Sequence, residues 1–166
     1  MRKSFSAMIT LAVAATIAAA SGNSASAESS TPDVQWLVGT WTCNVKIPAT
    51  ADYAAKTDHG PMTVTAAPDM TIHFHVGAAD YNADSYQGYD KKAKTYWNVS
   101  SDIAGTATFE SSKDGTVYTG MYYAVGKSIP TRDTFTNSGH TQLRDVSEMM
   151  MAGTWKIVSD AVCTRP

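Results

Sequence analysis

Gly39-Thr40-Trp41, with Cys43 two residues on, and Gly153-Thr154-Trp155, with Cys163 eight residues on, decide the fold of this chain. These are its only two cysteines. The same tripeptide near both ends of the sequence predicts first and last strands lying side by side. A disulfide between Cys43 and Cys163 would staple them and close an antiparallel barrel.

The stretch between them has one texture throughout. Val, Thr, Tyr and Trp are frequent, and Gly, Asp, Asn and Pro recur at the spacing of short strands joined by tight turns. After the first segment the only leucines are Leu37 and Leu143, too few for long amphipathic helices. One helical turn over Asp33 to Val38 is the expected exception, plugging one end. The strands predicted are Trp41–Ile47, Pro61–Ala67, Met70–Val76, Tyr86–Tyr89 and Lys94–Val99. They continue with Thr106–Ser111, Thr116–Tyr123, Arg132–Thr136, Thr141–Met151 and Thr154–Cys163. Residues 49–60 read as a longer loop. Lys113-Asp114-Gly115 is a strong hairpin signal. The fold class is therefore all-β, a closed up-and-down antiparallel barrel of roughly eight to ten strands, which removes the edges that an open sheet would expose.

Residues 1–27 read as a cleaved secretory leader. Arg2 and Lys3 precede an apolar run from Met8 to Ala20, and Ala25-Ser26-Ala27 is a small-x-small cleavage site. The run is too short to span a membrane. No twin arginine and no following cysteine mark other export or lipidation routes. The leader looks bacterial and points to the periplasm or the medium. Residues 28–33 read as a flexible lead-in, and 34–166 as one barrel domain. Losing Arg2 and Lys3 takes the basic count from 13 to 11 against 15 acids. The remaining cations are scattered, so no nucleic-acid partner is implied. No membrane span is implied either, and a monomer is the default.

Trp36-Leu37-Val38-Gly39-Thr40-Trp41 resembles the Gly-x-Trp opening of lipocalin and calycin-type barrels. Gln87-Gly88-Tyr89-Asp90-Lys91-Lys92-Ala93-Lys94-Thr95-Tyr96 resembles a Gly-Tyr-Asp turn in a family of secreted bacterial proteins of unknown function. A later strand of that family often carries Thr-Arg, as Thr131-Arg132 does here. The resemblance implies a barrel closed by Gly39 and Trp41, with Arg132 stacked on the Trp, and implies no activity. Nitrobindin-like haem barrels share the Gly-x-Trp opening, but their haem-ligand region has no counterpart that can be matched here.

Met70, Ile72, Phe74 and Val76 alternate with Thr71, His73 and His75, so one face is buried and the other wet. His73 and His75 share a face and are candidate metal ligands, with His59, Asp69 or His140 as further donors. A solvated polar face is the plainer reading. Met149, Met150 and Met151 suggest soft-metal ligation or, more simply, core filling. Arg132, Asp133 and Glu148 are candidate internal charges. Phe74, Tyr89, Tyr96, Trp97, Tyr118 and Tyr122 are candidate walls of a ligand cavity, or ordinary cross-strand pairs; Tyr86 and Tyr123 belong to the same aromatic middle. No catalytic motif is found, so no catalytic residue and no cofactor is assigned. Asn98-Val99-Ser100 matches a glycosylation acceptor and carries no weight in a bacterial-looking chain. The reading favoured is a secreted barrel that takes a small apolar molecule. A metal or haem binder using His73 and His75, and an enzyme with an internal acid such as Glu148, are the alternatives.

Overall fold

Ten stretches of alternating side chains become ten strands in the computed structural model, which describes residues 35–50, 54–67, 69, 71–78 and 81–166. The leader expected over 1–27, the lead-in 28–33 and Met70 lie outside the described residues. The strands are β1 (Gly39–Ile47), β2 (Lys56–Ala66), β3 (Ile72–Ala78), β4 (Tyr81–Asp90) and β5 (Thr95–Asp102). They continue with β6 (Ala107–Ser112), β7 (Val117–Ala124), β8 (Lys127–Ser138), β9 (Gln142–Met151) and β10 (Thr154–Thr164). A single 3₁₀ turn, Gln35–Leu37, precedes them. Each strand pairs antiparallel with its neighbours in sequence, and β1 pairs with β10, so the sheet is a closed barrel. Several strands run longer than the sequence pattern shows. β2 begins at Lys56, β4 at Tyr81 and β8 at Lys127, in segments too polar for alternation to mark.

Turn chemistry sets the strand ends. In the β6–β7 hairpin, Asp114 accepts the backbone N–H groups of Thr116 (2.8 Å) and Val117 (3.1 Å). Gly115 follows at φ +74°, a conformation that suits a residue without a Cβ. The amide hydrogen bonds, led by that of Thr116, hold the Asp114 carboxyl down at about 2.

The seam between β1 and β10 lies where the duplicated tripeptide predicts it. Cys43 and Cys163 are direct register partners and form a disulfide, with α-carbons 4.0 Å apart and a sequence separation of 120. Both point inward and are buried. They belong to one apolar cluster with Leu37, Trp41, Val45, Ile47, Met62, Val64, Ile72, Phe74, Val76, Ala83, Leu143 and Ala161. This cluster fills the wall made by β10, β1, β2 and β3. Each of its large aliphatic and aromatic side chains contributes about 1.5–3 kcal/mol by leaving water.

Trp41 plugs the end of the barrel where the 3₁₀ turn sits. Its side chain is fully buried, and its Nε1–H donates to the Leu37 carbonyl at 2.9 Å. Trp36 packs edge-on against it and stacks on His140. The cation over Trp41 is not Arg132, as the resemblance implied, but Arg165, whose guanidinium carbon is 4.7 Å from the ring centre. Arg165 also donates to the carbonyls of Trp36 and Val38. Register explains the exchange. Thr164 of β10 pairs with Thr42 of β1, which brings the next residue, Arg165, beside Trp41. Arg132 faces outward between the inward Thr131 and Asp133, and lies 4.8 Å over the ring of Trp155, the tryptophan of the second tripeptide.

Two expectations follow from the closure. Replacing both cysteines by serine removes a cross-link over 120 residues, and the loop-entropy account puts the loss near ~4–5 kcal/mol in urea unfolding at pH 7. A loss below about 1 kcal/mol would contradict it. Trp41→Ala empties a fully buried site and should cost about 3–5 kcal/mol. An unchanged urea midpoint would show that Trp41 is not the plug.

Candidate functional site

Opposite the apolar wall, the inward positions of β4 to β10 are mostly polar. Ser85 and Gln87 on β4, Asn98 and Ser100 on β5, and Thr108 and Glu110 on β6 are all buried. So are Thr131 and Asp133 on β8, Asp145 and Ser147 on β9, and Ser159 on β10. Register aligns them into rungs. Gln87, Asn98, Glu110, Gly120, Thr131 and Met149 are successive partners from β4 to β9. A second rung runs Tyr118, Asp133, Ser147, Ser159. A third runs Phe135, Asp145, Ala161, Val45. Gly120 is needed on the first rung, because a Cβ there would lie 1.9 Å from the Phe109 carbonyl oxygen.

A short relay organises part of this wall. The Ser85 hydroxyl donates to Asn98 Oδ1 at 2.7 Å, and Asn98 Nδ2 donates to Glu110 Oε2 at 3.1 Å. Beyond it, hydrogen-bonding capacity is unused. Gln87 Nε2, the hydroxyls of Ser100 and Ser159, Glu110 Oε1 and all four carboxyl oxygens of Asp133 and Asp145 have no protein hydrogen-bond partner among the described residues. Each such group costs about 1–3 kcal/mol when left unpaired away from water.

The three carboxyls act on one another. Burial pushes Asp133 well above the ordinary carboxylate range, and the charges of Glu110 and Asp145 push it further. Burial does the same for Asp145, with Glu110 and Asp160 adding to it. Burial also raises Glu110, and the nearby side chains of Asp133, Asn98 and Thr131 oppose the shift. Burial, with nearby tyrosine and carboxylate charge, raises the Tyr118 phenol as well. No Lys, Arg or His is buried among the described residues, so no protein cation offsets the three acids.

The aromatic candidates divide between the two faces. Phe74, Tyr118 and Tyr122 are buried, and Tyr118 packs edge-on against Phe135 at 5.4 Å. Tyr96 packs against this pair and is the register partner of Tyr89, 4.8 Å away. Trp97 lies on the outer face across Gly88, where a Cβ would enter its ring at 2.3 Å. Tyr86 and Tyr123 are exposed. Ile72, Phe74 and Val76 point inward, and His73 and His75 point outward. On that outer face both histidines converge on one oxygen of Asp84, His73 Nε2 at 2.7 Å and His75 Nδ1 at 3.0 Å. Burial pushes the Asp84 carboxyl up, but these bonds outweigh it and hold it below its usual value. His73 also stacks on Tyr86. His59 is exposed on β2, His140 is held on Trp36, and Asp69 caps Thr71 N–H. Among the described residues no group of three or more His, Cys, Asp or Glu is placed to hold a metal ion.

Of the three candidate internal charges, only Asp133 is internal. Glu148 and Arg132 face outward on adjacent strands and form an ion pair at 2.6 Å. An internal acid therefore exists, but it is not Glu148. Met149 points inward beside Tyr122 and Val158, and Met151 is exposed. Glu110 and Asp145 were not anticipated. The signal for Asp145 was present, since it lies two residues from Leu143 and therefore on the same face.

No protein-family model matches this chain, and no curated protein is significantly similar to it. The functional reading rests on the geometry.

The raised carboxyls give stability a definite pH dependence. Near the ordinary values of 3.8 and 4.5 the unfolded chain begins to release protons that the folded lumen retains. The stabilising contribution is complete below that range and is lost as pH rises toward the folded values. Carboxyls held low, such as Asp84, Asp114 and Asp160, act in the opposite sense and in more acidic solution. The melting temperature should therefore fall between about pH 5 and about pH 8. Asp133→Asn should be more stable than the wild type at the upper end and show a shallower slope. Parallel pH profiles for the two proteins would refute the coupled acid cluster.

Proposed function

We propose that this chain is an exported barrel that binds a small amphipathic molecule in its lumen. The observation that carries the reading is the division of the interior into an apolar wall and a polar wall whose groups lack protein partners. Binding sites of this kind combine apolar surface with a few convergent polar groups. A barrel of this strand number has room for one small molecule. A core built only for stability would leave no buried donors and acceptors unmatched.

The ligand reading changes from an apolar molecule to an amphipathic one, because buried polar side chains share the inward face on β4, β5, β6, β8, β9 and β10. The apolar body would lie against Phe74, Tyr118 and Tyr122, with its polar end toward Asn98, Glu110 and Asp133. Access fits the end away from Trp41. Ile103 and Val125 are exposed on the β5–β6 and β7–β8 connections at that end, where an apolar solute would first make contact.

Export belongs to the same proposal. It is supported by the leader pattern over residues 1–27 and by the Cys43–Cys163 disulfide, which suits an oxidising compartment. The calycin-like likeness is one of architecture, a closed antiparallel barrel with a Trp plug, and carries no activity with it.

Native mass spectrometry of the protein recovered from its exported form tests the reading. An adduct of small-molecule mass that is lost on unfolding, on a chain beginning at Glu28, is the expected result. A bare chain that also fails to take up fluorescent amphiphiles of either charge would overturn it.

A further inference from the structure

We infer that the molecule bound in the lumen is a cation, an amine carried on an apolar body, and that Asp133 and Asp145 receive its ammonium group. This deepens the proposed function and rests on it.

The census of unmatched groups decides the sign of the ligand. Six carboxyl oxygens, one each on Asp102 and Glu110 and two each on Asp133 and Asp145, have no protein hydrogen-bond partner among the described residues. Against these acceptors stands one unmatched amide donor, Gln87 Nε2, together with the hydroxyls of Ser100, Thr106 and Ser159, which can do either. With its carboxyls ionised the site needs donors, and an alkylammonium brings up to three. Gln87 is independent of the acids. It is 6 % exposed and faces the lumen as the register partner of Asn98, whose amide holds Glu110. Its free N–H offers one place for an acceptor atom on the ligand, such as a hydroxyl or carbonyl oxygen.

Charge points the same way. The titratable groups at inward positions in this part of the barrel are Tyr89 on β4, Tyr96 and Asp102 on β5, Glu110 on β6, Tyr118 and Tyr122 on β7, Asp133 on β8 and Asp145 on β9. All are acidic; Asp58 on β2, which continues the Asp145 rung past Val45, is already paired with Lys56. Arg132 and Arg144, the chain neighbours of Asp133 and Asp145, face outward and are committed to Glu148 and Asp160. An anionic amphiphile such as a fatty acid would add a fourth carboxylate to a cluster that already repels itself. An ammonium ion would compensate the charge, and the aromatic rings of Tyr118, Tyr122 and Phe135 add surface that favours cations.

Binding then displaces protons. Burial and mutual repulsion push the three carboxyls up in the empty lumen, and an ammonium ion requires an ionised carboxylate, so affinity rises with pH as long as the amine stays protonated.

Isothermal titration of the folded protein with hexylamine, 1-hexanol and hexanoate separates the possibilities at constant chain length. Hexylamine should bind at least about tenfold tighter than 1-hexanol, and hexanoate weakest of all. Hexylamine affinity should rise between about pH 5.5 and about pH 8 with proton release, measured in buffers of differing ionisation enthalpy. Asp133→Asn, whose side chain is fully buried in the wild type, should lose most of the preference for the amine while retaining 1-hexanol. Asp145→Asn repeats the test should that variant fail to fold. Equal binding of amine and alcohol, or preference for hexanoate, overturns the cation and leaves the lumen reading standing. Binding of none of the three overturns both.

Discussion

Everything inside this barrel depends on the pairing of β1 with β10. Cys43 and Cys163 can bond only if both point to the same face, and the burial of both in the apolar cluster makes that face the inner one. Side chains alternate along a strand, and register partners share a face across an antiparallel pair. One covalent contact at the seam therefore sets the parity of β1 and β10. Hydrogen bonding then carries that parity round the remaining strands. The apolar cluster around Trp41 has the same consequence by different physics, since a one-residue slip would turn its whole apolar row into water.

That parity explains what could and could not be read from the residues. On β3 the contrast between Ile72, Phe74, Val76 and the two histidines is strong, and the faces follow at once. On β8 and β9 the pattern places an arginine next to an aspartate twice, Arg132-Asp133 and Arg144-Asp145, and hydropathy alone does not say which turns inward. The chemistry does. Arginine cannot shed its charge in a protein, whereas a carboxyl escapes burial by taking up a proton. The arginines also have outward partners on the next strand, Glu148 and Asp160. β6 is the hardest case, because exposed Phe109 and buried Glu110 invert the usual order. Phe109 is covered in part by Tyr123 across the strand pair, at 5.8 Å. Closure and strand number were thus legible in turn signals and duplicated motifs, while the acid cluster was hidden in strands that are polar on both faces.

The two tryptophans of the duplicated tripeptide show how chemistry can be read correctly and placed wrongly. Each lies under a guanidinium, Trp41 under Arg165 and Trp155 under Arg132. Stacking of arginine on an indole is a general preference, so the expectation of a cation at the plug was sound. Its identity depended on register at the C-terminal end of β10, where the last paired residue delivers Arg165 to the ring. Only three-dimensional pairing supplies that information.

The two walls of the lumen are unequal in what they contribute to folding. The apolar wall carries a dense cluster and the disulfide, and the polar wall buries three carboxyls with no cation among them. A domain has only about 5–15 kcal/mol of net stability, so several unmatched polar groups are a large fraction of it. Selection for stability alone would replace Asp133 and Asp145 by Leu or Val, which suit a strand interior. Sequences depart from local rules mainly where a site demands it. Here the departure is confined to one side of the barrel, on successive rungs, with hydrogen bonds running from Ser85 through Asn98 to Glu110. Confinement of that kind is what distinguishes a binding wall from poor packing. The opposite wall, cross-linked and apolar, is what allows the barrel to hold it.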